Sequence, residues 1–207
     1  MFRAFSVAKE LVKLSFSGEE IDPLTNLRLQ KLLYYAQAWS LVLRESELFP
    51  EQIEAWRWGP VVPVVYNELS NGQGASQIPP DIFVDSPDLP PEEAELVRSV
   101  WDAYNSYSAL RLSRMTHAET PWLRAWGQRP TDGTGSGNDP IEVDELEDYF
   151  GKQAVPAPLA VYRYELRKRE EAAEKELATF PRLDSSRLKP LSKSYTPAAK
   201  VLYRIGD

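Results

Sequence analysis

The segment 24–44, LTNLRLQKLLYYAQAWSLVLR, constrains the fold more than any other. Leu27, Leu29, Leu32, Leu33, Ala36, Trp39, Ser40 and Leu43 recur at three- and four-residue steps, the period of an α-helix. Thr25 stands just before the run and offers a hydroxyl to the free N–H groups of a first turn. The spacing predicts a helix over 26–44. Its apolar face is wider than the stripe of a surface helix. Such a helix belongs at the centre of a core, with the other elements around it.

The flanking patterns supply those elements. Phe2, Phe5, Val7, Ala8, Leu11, Val12 and Leu14 keep a mostly helical spacing over 2–16, ended by a turn at 18–23. Lys9, Glu10 and Lys13 interrupt that stretch, so it reads as a first helix and not as a signal peptide. QIEAWRW at 52–58 alternates and predicts a short strand, stopped by Gly59-Pro60. A helical pattern resumes over 61–70, with Pro63 in its first turn. Residues 71–91 read as a loop with a short extended piece at 82–84. Pro90-Pro91-Glu92-Glu93 is a strong helix start, because acidic groups favour the positive end of the helix dipole. Shorter helices follow at 108–116, 121–126 and 143–150, with a flexible loop at 131–140 and an extended piece at Ile141. The expected fold class is mainly α: a compact helical domain with a few short β-strands, plus a C-terminal helical and irregular extension.

Residue chemistry excludes much. There is no cysteine, which removes disulfides, thiol nucleophiles and sulfur metal sites. The single histidine, His117, lies with Ser113 and Glu119 in the one catalytic-looking cluster. These residues straddle a helix end, where a structural role is the simpler reading. The glycines of 133–137 lack the preceding strand and following basic residue of a phosphate loop. No catalytic residue, cofactor or metal is expected, and the chain reads as a binding protein. No apolar run reaches the roughly 18 residues of a membrane span, so a cytoplasmic protein is expected.

Charge divides the chain. The net charge is −7, but residues 1–150 hold 12 basic and 24 acidic side chains, and residues 151–207 hold 12 basic and 7 acidic. An acidic body repels nucleic acid and suits a basic partner. No helix-turn-helix with a basic recognition helix is present, so only the basic tail keeps a DNA-binding reading open. The expected domains are 1–150 and a basic extension, 151–207. The extension begins with a linker-like PAP at 156–158, continues as a charged helix over 159–178 and ends in an irregular tail. Trp56, Arg57 and Trp58 leave two readings open: core residues pinning the strand, or an aromatic–arginine recognition point.

Three segments carry a family resemblance: LTNLRLQKLLYYAQAW at 24–39, EAWRWGPVVPVVYNEL at 54–69 and SALRLSRMTHAETPWLRA at 108–125. In that order and spacing they resemble the Panacea domain of SocA-like antitoxins and phage-associated GepA-like proteins. Ile141, Tyr149 and Phe150 fit its close. The residues that carry the pattern are Leu29, Gln30, Lys31, Tyr34 and Tyr35, then Gly59 and Pro60, then Thr116, His117, Pro121 and Trp122. The likeness covers roughly 5–150 and not 151–207. It implies a mostly helical, non-enzymatic antitoxin of a type II toxin–antitoxin system that neutralises a cognate protein toxin by direct binding. Toxins in such pairs include translation-inhibiting enzymes, and one family member acts as an adaptor delivering its toxin to an ATP-dependent protease. A homo-oligomer or a hetero-oligomer with the toxin is compatible with this. The toxin-contact residues expected are Trp56, Arg57 and Trp58 in the body, with Tyr162, Arg163, Leu166, Arg167, Tyr195 and Tyr203 in the extension.

Overall fold

The computed structural model describes residues 3–17, 22–70, 77–131 and 134–179, with 177–179 described as backbone alone. Among these residues the protein is mainly helical, with a small three-stranded sheet. The chain divides into two compact units after Arg167.

Helix α2 (Asn26–Arg44) is the axis of the first unit. Thr25 Oγ1 accepts from the Arg28 N–H, and Glu45 ends the helix in the left-handed conformation at φ 53°. Every residue from Arg28 to Leu41 is buried. Around it pack α1 (Ala4–Ser15), α3 (Pro63–Ser70), α4 (Pro91–Tyr104), α5 (Ala109–His117) and α7 (Val143–Gly151). An aromatic layer locks three of these together. Tyr35 stacks on Tyr104 with ring centroids 4.1 Å apart, and Trp39 Nε1 donates to the Tyr104 hydroxyl at 2.9 Å. Phe150 of α7 meets Tyr34, Tyr35 and Trp39 edge-on. Aromatic pairs of this geometry add to the burial of their large apolar areas.

The strand expected at 52–58 is instead a hairpin. β1 (Glu54–Trp56) turns back through Arg57 and Trp58 into β2 (Gly59–Val61), with Trp56 opposite Gly59. Gly59-Pro60 therefore continues the sheet rather than stopping it. Gly59 takes φ +97°, which a tight turn needs and a side chain resists. Pro60 is tolerated because β2 is an edge strand and owes no N–H to a further neighbour. On the other side of β1 lies β3 (Asp139–Pro140), and the Ile141 N–H donates to Ile53 O just beyond it.

Two other expectations are corrected. Residues 82–84 are not extended but lie in a series of turns, with Val84 N bonded to Asp81 O and Ser86 N to Phe83 O. Lys9 holds this loop by its carbonyls, and Phe83 is drawn inward against Phe5. The PAP segment is not a linker through residue 158. α8 (Ala157–Thr179) starts inside it, with Pro158 in a first turn where its missing N–H costs nothing. Between α5 and α7 lies α6 (Thr120–Trp126), starting one residue ahead of Pro121.

Candidate functional site

The residues of the three sequence segments converge on the hairpin. Its backbone carbonyls at alternate positions accept from three different elements. Lys31 Nζ of α2 donates to Pro60 O at 2.9 Å, Ser113 Oγ of α5 to Trp58 O at 3.0 Å, and Trp122 Nε1 of α6 to Trp56 O at 3.1 Å. Gln30 Oε1 accepts the Val62 N–H at 2.8 Å just past β2. Gly59 sits where a Cβ would lie 2.7 Å from Thr116 Oγ1 and 2.8 Å from Lys31 Cε. The lysine, the glycine and the threonine thus occupy one close-packed point, which explains why these residue types occur together.

This cluster is buried, and burial sets its electrostatics. Lys31 is fully buried, and among the described residues its one hydrogen-bond partner is a backbone carbonyl. Desolvation lowers its amine to about 7. Burial likewise raises the Glu119 carboxyl to about 7, against the opposing pull of the Tyr34 and Tyr35 hydroxyls. Tyr35 donates to Glu119 Oε1 at 2.9 Å. Both tyrosine hydroxyls are pushed up, first by burial and then by the Glu119 charge. His117 closes α5 and packs its ring 4.1 Å from that of Trp122. Burial lowers its imidazole, and the Lys31 charge adds to that. Leu29 and Tyr34 lie in the core, and Pro121 is buried at the start of α6. Among the described residues, no group of three or more acidic or histidine side chains is placed to hold a metal ion.

The hairpin tip is the opposite. Trp58 is 53% exposed, and the Arg57 guanidinium lies over its ring, 5.0 Å from the centroid. The two tryptophans part company: Trp56 is half-buried, bonded through Nε1 to Glu54 Oε2 at 2.7 Å and packed edge-on against Tyr66 at 4.8 Å. The core reading therefore fails for Trp58, because it occupies the turn and not the strand. Beside the tip lies a pocket of about 350 Å³, lined by Leu27, Trp56, Val61 and Tyr66 together with the exposed Arg57 and Trp58.

The extension residues fall on both sides of the surface. Tyr162 and Leu166 were expected to contact a partner but are 1% and 7% exposed, within the core. Their spacing, with Leu159, gives α8 an inward apolar face at i, i+3 and i+7. Burial pushes the Tyr162 hydroxyl up to about 12. Arg163 and Arg167 are exposed, and Arg163 borders an open groove with Glu45, Asp144, Glu147 and Asp148. Tyr195 and Tyr203 lie outside the described residues. The sequence reading missed Tyr66 and Leu27 as parts of the pocket; only the hairpin brings them beside Trp56.

Residues 29–123 match the family described as antitoxin SocA-like, Panacea domain. The antitoxin SocA of Caulobacter vibrioides (strain NA1000 / CB15N) is 50% identical over 48 residues, which is 23% of this chain. The matching stretch spans 26% of that relative, about a quarter of its length. No solved structure matches.

Proposed function

Since the chain carries the Panacea domain of SocA-like antitoxins, we propose that it is the antitoxin of a type II toxin–antitoxin pair, holding a cognate protein toxin by direct contact. The observation that carries this is the family match over 29–123, a stretch that holds both the buried clamp and the exposed tip it presents. A neutralising binder needs a rigid platform with a few aromatic and arginine side chains left outward. Arg57 and Trp58 are such a pair, fixed by a hairpin whose backbone is bonded to α2, α5 and α6. No residue here performs chemistry in this reading.

The test is growth rescue. The product of the adjacent reading frame, expressed alone, should arrest growth, and co-expression of this chain should relieve the arrest. Purified toxin and antitoxin should form a complex that suppresses toxin activity with no protease present. A toxin that stays active until an ATP-dependent protease is added would replace direct neutralisation with delivery. Partner choice is further assigned to the basic segment beyond the first compact unit. Truncation after Arg167 spares Leu159, Tyr162 and Leu166, so it removes the tail without opening the core. Full rescue by that truncated chain would sink the role of the tail.

A further inference from the structure

The pocket beside the hairpin has a chemistry more specific than a general contact surface. Its walls are the side chains of Leu27, Trp56, Val61 and Tyr66. The two amides in its lining, Asn26 and Gln30, are already engaged with the protein. Gln30 Nε2 donates to Asn26 Oδ1 at 2.9 Å, Gln30 Oε1 accepts from Val62 N, and Asn26 Nδ2 donates to Tyr66 O at 3.3 Å. A polar ligand group entering there would give up water for little return. An apolar side chain gives up nothing, and at about 350 Å³ the space is ample for one.

Arg57 adds a charge to this lining. Among the described residues no carboxylate lies within ion-pair distance of Arg57, although this body is acidic. The guanidinium lies over the exposed Trp58 ring, 5.0 Å from its centroid, and both side chains are at the surface. A guanidinium so held matches a carboxylate in a two-pronged arrangement. Two of the lining residues, Arg57 and Trp58, are exposed at the turn, so a partner segment can reach the pocket and the guanidinium together.

We infer that this pocket receives an aromatic or large aliphatic side chain from a linear segment of the protein partner, flanked by an Asp or Glu that pairs with Arg57. The assignment deepens the antitoxin reading and rests on it for the partner's identity. It also qualifies the charge argument: the acidic body favours a basic partner at long range, while the tip selects an acidic–apolar segment on contact.

The experiment pans a phage-displayed library of random linear peptides on the full chain, then titrates the consensus peptide calorimetrically. The expected consensus is an apolar residue with Asp or Glu within two positions. Binding should fall about tenfold or more in Trp58→Ala and in Arg57→Glu. A peptide with Lys in place of its acid should recover affinity for Arg57→Glu. A consensus without an acid, an absence of enriched peptides, or unchanged binding by both variants overturns the assignment. So does a concentration-dependent dimer that Trp58→Ala dissociates, since a second copy would then fill the pocket. The two readings fail separately: rescue without peptide binding strikes this assignment alone, and peptide binding without rescue strikes the antitoxin reading alone.

Discussion

Trp122 of α6 bonds the hairpin and Trp58 forms its turn, yet the two live in different environments. Trp122 is fully buried, stacks on Trp126 at 5.0 Å and holds the Trp56 carbonyl. Trp58 is half in solvent, and its own backbone carbonyl is the part that is anchored. The contrast separates residues that make the scaffold from residues that a scaffold leaves free for a partner. Most of the recognisable pattern, from Gln30-Lys31 through Gly59 to Thr116 and Trp122, is of the first kind.

The contrast breaks if the buried residues prove dispensable. Trp122→Ala should cost about 3–5 kcal/mol, the usual loss for a truncated core tryptophan, measured by urea denaturation. Gly59→Ala should cost about 2 kcal/mol or more, since strain at φ +97° adds to the clash with Thr116 and Lys31. The partner's peptide should stabilise each variant only as much as it stabilises the parent, so both deficits should persist in its presence.

Buried charge gives a further handle. The Glu119 carboxyl, raised from 4.5 to about 7, holds a proton in the folded chain that the unfolded chain has lost. Its contribution to stability is full below pH 4.5 and lost as pH rises through about 7. The Lys31 amine, lowered from 10.5 to about 7, acts in the reverse sense: stability recovers as pH rises from about 7 toward 10.5. Glu119→Gln should flatten the acid limb and leave the variant roughly 2–3 kcal/mol more stable than the parent above pH 7. Lys31→Met should flatten the alkaline limb. Denaturation series from pH 4 to pH 10 would show both.

What the sequence makes legible follows from range. α2 is readable to the residue because its period and its Thr25 cap are local, whereas the helix expected at 108–116 runs one residue later, Ala109–His117, behind a Ser108 cap. The hairpin is not, because Arg57-Trp58 lacks the Asn-Gly type of turn signal and Gly-Pro ordinarily ends an element. Its existence depends on bonds from Lys31, Ser113 and Trp122, which are far away in sequence. Tyr162 and Leu166 look exposed beside so many charges, yet their spacing with Leu159 places one face inward. The site is legible only in part for the same reason: Trp56, Arg57 and Trp58 stand out in sequence, but the pocket they form with Leu27 and Tyr66 is made by packing.

The proposed division of labour gives the fold to the buried clamp and the partner to the exposed tip. It is tested most directly in the double variant Arg57→Glu/Trp58→Ala, assayed side by side for denaturation midpoint and for rescue from the adjacent-gene toxin. Stability should stay within about 0.5 kcal/mol of the parent while rescue is lost. Undiminished rescue by the stable double variant would contradict it.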